Sequence, residues 1–172
     1  RSREFCNLSE CVIRRDDTRE HLKEKVRVAT ILGTFQSTLT EFKYLSREWK
    51  RNCEEERLLG VSLTGIMDNP LTNGSKKGLD KLLEELRDVA YETNKEWAEK
   101  LGIPPSAAIT CVKPSGTVSQ LVDSASGIHA RHNPFYIRTV RADNKDPLCN
   151  LMKEMGFPNE PDVTKPDHTT VF

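Results

Sequence analysis

The stretch ITCVKPSGTVSQLVDSASGIHARH, residues 109–132, decides the fold. An apolar, partly β-branched run at residues 107–112 ends at Lys113, and the sequence Pro-Ser-Gly-Thr follows at residues 114–117 before the apolar pattern resumes at Val118. This order predicts a buried strand that ends in a turn of small residues. Glycine allows the turn to tighten until successive backbone N–H groups point into one small space, which is a geometry that suits an anion.

Two readings of this turn are open from its residues alone. A helix that opens at residues 118–122 would add N–H groups and the positive end of its dipole, and Lys113 would add a full charge at the rim, so that a phosphate could bind. The same residue types also occur in ordinary turns without a ligand. The turn is not a P-loop, because the pattern G-x-x-x-x-G-K-[ST] is absent.

The overall charge and the cysteines limit the class of protein. Lys and Arg together number 26, as do Asp and Glu, so no net field attracts nucleic acid or a membrane surface. No apolar run is long enough for a membrane helix and no signal peptide is evident, so we expect a cytoplasmic protein. The five cysteines include no C-x-x-C pair, which argues against a structural metal site and against a secreted disulfide scaffold. They are Cys6, Cys11, Cys53, Cys111 and Cys149.

Apolar periodicity along the chain predicts helices that alternate with strands. Polar, Cys-containing residues 4–15 read as a loop that leads into a short buried segment, and the charged residues 43–57 read as a surface connection that is partly helical. This gives an α/β fold with mostly parallel strands in one domain. The predicted helices span residues 18–43, 78–101 and 146–155, and the predicted strands span residues 58–67, 107–112, 134–141 and 169–172.

Four motifs in this order resemble those of the large catalytic chain of ribonucleotide reductases. They are FCNLSE at residues 5–10, RLLGVSLTGIMD at 57–68, KPSGTVSQL at 113–121 and SGIHARH at 126–132. The resemblance covers essentially the whole chain. It is closest to the adenosylcobalamin-dependent class II enzymes of the monomeric ribonucleoside-triphosphate reductase type.

The resemblance implies an architecture and two sites. Residues 1–172 would be a fragment of a single ten-stranded α/β barrel domain and would supply much of its second half. The loop that holds the substrate phosphates would consist of Pro114, Ser115, Gly116, Thr117 and Val118. Cys6 would be one thiol of a redox-active pair, with Cys11 as a nearby competitor for that role. Cys111 and Cys149, which have apolar neighbours in sequence, read as small buried hydrophobic residues.

The activity implied for the full-length enzyme is the conversion of ribonucleoside triphosphates to deoxyribonucleoside triphosphates by thiyl radical chemistry. Adenosylcobalamin would be the cofactor, thioredoxin or a similar dithiol the reductant, and nucleotide effectors would bind outside this chain. The radical-bearing Cys of the family lies in an upstream Asn-x-Cys-x-Glu loop that this sequence lacks, as it lacks the other redox Cys and the terminal dithiol. We therefore expect a fragment of a longer protein that is inactive alone.

Two other functions are consistent with the sequence. One is the large chain of a class I reductase, which acts on diphosphates and depends on a metal-containing partner subunit for its radical. The other is a phosphate-binding α/β module in which Cys6 has no redox role.

Several polar residues receive no catalytic role. His129 and His132 have i, i+3 spacing without a further ligand, so we expect a structural or substrate-edge role and no metal. Glu10 is not assigned as a general base, because the acidic residue of the family's radical loop lies upstream. Arg138 and Arg141 alternate on a predicted strand and read as a solvated face.

Overall fold

A computed structural model describes residues 2–172, which divide into two compact units. The first unit extends to Arg131 and the second comprises His132–Phe172. The elements of the first unit are β1 (Asn7–Val12), α1 (Arg19–Gln36), α2 (Arg47–Glu56), β2 (Leu59–Thr64), a 3-10 turn (Ile66–Asp68), α3 (Leu79–Leu101) and α4 (Val118–Leu121). Those of the second unit are β3 (Arg141–Asp143), α5 (Pro147–Glu154), β4 (Glu160–Pro161) and β5 (Thr169–Val171).

The sheet of the first unit is parallel. Strand β1 pairs with β2 from Asn7 opposite Leu59 to Val12 opposite Thr64. The predicted strand at residues 107–112 is present as an extended segment, which joins β2 through a parallel bridge between Val61 and Thr110. Its length is shorter than predicted, and the chain leaves the sheet just before the loop at residues 113–118.

Strand β1 was not expected, because residues 4–15 read as a loop leading into a buried segment. That interpretation is wrong for Asn7–Val12. The strand is rich in polar residues because its two faces have different neighbours, and side chains alternate between them. Cys11 faces α1, where its thiol lies 3.6 Å from the carbonyl oxygen of Lys25, whereas Leu8 and Glu10 face the opposite side.

Helix α1 begins where the sequence predicts and ends earlier. Thr18 caps its first turn by accepting a hydrogen bond from the backbone N–H of His21 at 3.3 Å. The helix stops at Gln36 instead of residue 43, since the Ser37 and Thr38 hydroxyls donate to carbonyl oxygens of its last turn. The following residues 43–57 include a regular helix, α2, where a partly helical connection was expected.

The bounds of helix α3, Leu79–Leu101, agree with the prediction of a helix at residues 78–101. Its C-terminal residue is followed by Gly102 in the left-handed conformation, with φ at +67°. Helices α1 and α3 pack together against the parallel sheet and enclose an apolar core. The buried core residues are Cys11, Ile13, Leu22, Val26, Ala29, Leu59, Val61, Leu82, Leu86, Ala90 and Ile109.

The second unit corrects two expectations. Its strands form an antiparallel sheet in the order β3, β5, β4, because the short turn at residues 162–168 reverses the chain between β4 and β5. The strand predicted at residues 134–141 is absent apart from Arg141, and Phe135 and Ile137 are 94% and 95% exposed. Helix α5 and strand β5 confirm the predictions for residues 146–155 and 169–172.

The mixed helix and strand composition expected for the chain is confirmed. Assignment of residues 1–172 to one barrel domain remains a prediction. Across residues 2–172, no helix combines the length and the apolar character needed to cross a membrane.

Candidate functional site

The turn after the extended segment forms a tight loop with unused donors. Gly116 has a φ of +56° and open space around it, so the loop uses the left-handed conformation that glycine adopts without strain. The N–H of Val118 donates to the Ser115 carbonyl at 3.1 Å. Within residues 2–172, the N–H groups of Ser115, Gly116 and Thr117 donate to no other group of the chain. Three consecutive free N–H groups are the donors that an anion requires.

The helix after the loop contributes less than predicted. Helix α4 is a single turn of four residues, Val118–Leu121, and a macrodipole of that length is small. The case for an anion therefore depends on the loop's own N–H groups and on nearby charge.

Lys113 supplies that charge at the start of the loop. Its ammonium lies 3.5 Å from a carboxylate oxygen of Glu10 and donates to the Pro114 carbonyl at 3.2 Å. The Glu10 side chain is only 8% exposed, and within residues 2–172 neither of its oxygens has a hydrogen-bond partner. Because a buried carboxylate needs compensation, the pairing with Glu10 keeps the Lys113 side chain beside the loop.

A second segment, residues 124–127, holds the loop from behind. Ser115 is 2% exposed, and its hydroxyl lies 2.9 Å from the hydroxyl of Ser126. A Cβ on Gly127 would lie 3.4 Å from the Lys113 carbonyl oxygen, so this glycine allows close contact between the two segments. The position of the loop thus depends on the position of residues 124–127.

Residues 124–127 are in turn attached to the carboxyl end of β2. The carbonyl of Ala125 accepts hydrogen bonds from the Gly65 N–H at 2.9 Å and from the Thr64 hydroxyl at 3.1 Å. The N–H of Gly127 donates to the same Thr64 hydroxyl at 2.9 Å. The N–H of Ala125 donates to the carboxylate of Asp68 at 2.7 Å.

Arg131 completes this attachment. Its guanidinium donates to both oxygens of Asp68 at 2.9 and 3.2 Å and to the side chain and carbonyl of Asp123 at 2.9 and 3.0 Å. Burial alone would raise the pKa of Asp68, but the hydrogen bonds from Arg131 and Ala125 and the positive charge of Arg131 bring it below its ordinary value. The bonds to both carboxylates raise the pKa of Arg131. We call Asp68, Asp123 and Arg131 the carboxylate clamp.

Cys6 lies on the same sheet face as Glu10. It is next to Gly60, whose lack of a side chain makes room for the atoms around it. A Cβ on Gly60 would lie 3.1 Å from the Cys6 sulfur, 3.0 Å from the Cys111 sulfur and 2.4 Å from Leu8. Burial and the neighbouring Cys111 raise the pKa of Cys6, and burial also raises that of Cys111. Both thiols are therefore protonated at neutral pH.

The structure distinguishes Cys6 from the other cysteines. Cys6 is exposed, whereas Cys11 is buried on the helix side of β1, and burial raises its pKa to about 12. Cys53 and Cys149 are also buried, as expected for Cys149. Cys111 is only half-buried and adjoins Cys6, so the expectation of a buried hydrophobic residue is wrong for it.

The remaining polar candidates have local contacts. A ring nitrogen of His129 lies 3.3 Å from the Ser126 carbonyl oxygen, and the His132 ring packs edge-on against Tyr136. Arg141 pairs with Asp162 at 2.6 Å. In the part of the chain that the structure describes, no three His, Cys, Asp or Glu side chains are grouped as metal ligands would be.

The sequence did not predict the carboxylate clamp or the approach of Cys111 to Cys6. Asp68 and Arg131 are 63 residues apart, and no local pattern connects them, although both occur in motifs that carry the resemblance. A glycine inside a strand often marks a close approach, and the sequence of residues 58–67 does predict one at Gly60 or Gly65; the structure has close contacts at both.

Comparison with solved structures defines the class of fold. The chain matches a crystal structure of a B12-dependent, class II ribonucleotide reductase with a TM-score of 0.67 and 24% identity, over 98% of this chain and 27% of that one. At this identity the match establishes the fold.

The curated relatives that the chain resembles share one name. The adenosylcobalamin-dependent ribonucleoside-triphosphate reductase of Lactobacillus acidophilus is 28% identical over 167 residues, which cover 83% of this chain and 22% of that protein. The enzyme of the same name from Euglena gracilis is 29% identical over 170 residues, 99% of this chain and 23% of that protein. The relationship expected from the four motifs is thereby confirmed, and the chain spans less than a quarter of these relatives. No family model matches the chain.

Proposed function

We propose that this chain is part of an adenosylcobalamin-dependent ribonucleoside-triphosphate reductase and carries its substrate-phosphate loop and one redox thiol. The observation that carries the proposal is that one face of the parallel sheet holds the Cys6 thiol above Gly60 and leads to a loop with three free N–H groups. The names of the curated relatives support the reaction and the cofactor. We also propose a cytoplasmic location, where the five free thiols would stay reduced.

The loop of residues 114–118 would bind the phosphates of the nucleotide. Its N–H groups would donate to the phosphate oxygens, and Lys113 would neutralise part of their charge. The ribose would then lie next to Cys6, on the sheet face where the Cys6 and Cys111 sulfurs and Leu8 surround Gly60.

Cys6 would supply half of the reducing equivalents. The ribose loses its 2′-hydroxyl as water, and two thiols each give up one electron and one proton to form a disulfide. The raised pKa of Cys6 supports this role, since the thiol retains the proton that it must deliver. The partner thiol and the radical-bearing Cys would belong to another part of the enzyme, and an external dithiol such as thioredoxin would reduce the disulfide again.

We assign no contact with the cobalamin to residues 2–172. His129 is engaged by Ser126, and no cluster of metal-ligating side chains exists among them. In the full-length enzyme the cofactor would initiate the radical, whereas the residues of this chain would bind the substrate and reduce it. We further propose that the parallel sheet of the first unit belongs to a ten-stranded barrel, consistent with the structural match.

The test is deoxynucleotide formation by the full-length protein, supplied with ribonucleoside triphosphate and a dithiol, with and without adenosylcobalamin. Activity that requires the cobalamin and is abolished by Cys6→Ser supports the proposal. Cys149→Ala, which removes a buried thiol in the second unit, is the matched control and should retain activity.

Two results would contradict the proposal. Turnover of diphosphates without cobalamin would indicate a class I enzyme. No turnover of either substrate by a folded protein would leave a phosphate-binding module.

A further inference from the structure

The carboxylate clamp lies at the end of a continuous series of contacts that leads to the phosphate loop. Arg131 fixes Asp68, Asp68 accepts from the Ala125 N–H at 2.7 Å, and the adjoining Ser126 contacts Ser115 of the loop at 2.9 Å. The clamp contains the last residue of the motif RLLGVSLTGIMD and the arginine of SGIHARH. Neither residue has a role in the function proposed above.

We propose that Asp68 and Arg131 are positioning residues that hold residues 124–127, and through them Ser115, so that the loop's N–H groups converge on a phosphate. This inference rests on the proposed function of the loop. It assigns no contact with substrate to either residue.

The geometry supports positioning in preference to a simple surface ion pair. Asp68 is bound through both oxygens by one planar guanidinium and in addition by a backbone N–H, and such bidentate bonds fix orientation as well as distance. The Asp68 side chain is 16% exposed, whereas that of Asp123 is 89% exposed. The two carboxylates of the clamp should therefore differ in importance, with Asp68 dominant.

Among the described residues of the first unit, no group other than Asp68 accepts a hydrogen bond from the Ala125 N–H. The other bonds of residues 124–127 to the end of β2 and the turn after it use Thr64, Gly65 and Ile66, and these fix the Ala125 carbonyl and both the N–H and the carbonyl of Gly127. The Ala125 N–H depends on Asp68 alone. Loss of the Asp68 carboxylate would remove the hydrogen bond of Ala125, the residue next to Ser126, and would make residues 124–127 more mobile.

The first measurement is amide hydrogen exchange at residues 114–118 in the full-length protein, without ligand and with inorganic tripolyphosphate. In the wild type we expect the probe to slow exchange at the loop. Without ligand, Asp68→Asn and Arg131→Gln should accelerate exchange by about fivefold or more at Val118, whose N–H is hydrogen-bonded within the loop, because loop opening becomes more frequent. Asp123→Asn should have a much smaller effect.

The second measurement is the steady-state kinetics of the same variants. Asp68→Asn should raise KM for the triphosphate about tenfold and leave kcat within about twofold, because binding geometry is lost and the reacting groups are not. Arg131→Lys, which keeps the charge but not the planar fork, should restore only part of the loss. Asp88→Asn and Arg87→Gln, which break an exposed ion pair on α3, are the matched controls.

The outcomes separate the two proposals. Unchanged loop exchange and unchanged KM in Asp68→Asn would overturn the positioning role while leaving the phosphate loop intact. A wild-type loop that tripolyphosphate does not protect would overturn the proposed phosphate site, and faster exchange in the ligand-free variants would still support the clamp. A loss of kcat in the clamp variants as large as the effect on KM would show a general effect on stability. Changes of KM in the α3 controls would show the same, and either result would also overturn the inference.

Discussion

At the level of single residues, Gly116 combines a conformation that only glycine adopts easily with a position in the proposed phosphate loop. Its φ of +56° is left-handed, and no atom lies within 4 Å of the place where a Cβ would be. A side chain there would meet no obstacle in the chain itself. In the function proposed above, it would compete with the phosphate for the open space beside Gly116.

We therefore predict that Gly116→Val in the full-length protein raises KM for the triphosphate by at least about tenfold, since the side chain blocks the approach of the phosphate. The left-handed conformation itself should cost roughly 1–2 kcal/mol. Gly102→Val is the matched control, because Gly102 also has a positive φ and open surroundings. It should show the same loss of stability and an unchanged KM, and an unchanged KM in Gly116→Val would contradict the prediction.

Gly60 is constrained for a different reason, because the space beside it is already taken. A Cβ would lie 2.4 Å from Leu8 Cδ2 and about 3 Å from two sulfurs. We predict that Gly60→Ala destabilises β2 by about 1–3 kcal/mol through overpacking, measured as faster amide exchange along the strand.

Gly33 on α1 provides the comparison for Gly60. A Cβ at Gly33 would make an ordinary contact of 3.4 Å with Leu59, and alanine is favoured over glycine in a helix by roughly 0.5–1 kcal/mol. Gly33→Ala should therefore leave exchange in α1 unchanged or slower. Similar effects of the two substitutions would contradict the assigned difference in packing.

At the level of elements, the predictions succeeded where periodicity and caps agree. Helix α3 has apolar residues at helical spacing and Gly102 at its end, so its bounds were predicted. Strand β1 was not predicted because one of its faces packs against the core and the other carries polar side chains. Its sequence therefore lacks the regular alternation of apolar and polar residues that indicates a strand. The strands β3, β4 and β5 have two or three residues each, too few for any period to define their direction.

The helix caps allow a test at this scale. Thr18 caps α1 through a hydrogen bond to the His21 N–H, whereas Ser46 precedes α2 without a side-chain cap bond. We predict that Thr18→Ala costs about 1 kcal/mol, which would accelerate amide exchange in the first turn of α1 about fivefold. Ser46→Ala should change exchange in α2 by much less, and equal effects would show that the cap bond of Thr18 contributes nothing.

The candidate site was predictable only in part, and the reason is the distance in sequence between its members. The loop at residues 114–118 is a local pattern, and its conformation follows from Gly116. The clamp joins positions 63 residues apart, and the approach of Cys111 to Cys6 depends on the register of three parallel segments. Such contacts are fixed by the tertiary fold, which local patterns do not specify.

At the level of the whole molecule, the chain leaves much apolar surface open. Strand β1 has a partner on one side only within residues 2–172. Large apolar side chains of the first unit are exposed on several elements, including Leu32, Leu39, Val112 and Leu121 at 62% to 88%. Open strand edges and apolar faces of this extent favour association with further chain.

We predict that the isolated 172-residue chain melts without a cooperative transition and binds an apolar dye, whereas the full-length protein melts cooperatively and does not bind it. Circular dichroism and dye fluorescence over a temperature ramp would measure both. A sharp, reversible transition of the isolated chain would show that its own core is sufficient.

The alternation of side chains along β1 has a consequence for how this segment can change in length. Cys6 and Cys11 are five positions apart, an odd number, and therefore point to opposite faces of the sheet. Insertion or deletion of one residue between them would make their separation even and would place both thiols on the same face of the sheet. The spacing of this strand is thus itself heritable information, since a change of two residues keeps the thiols on opposite faces and a change of one does not.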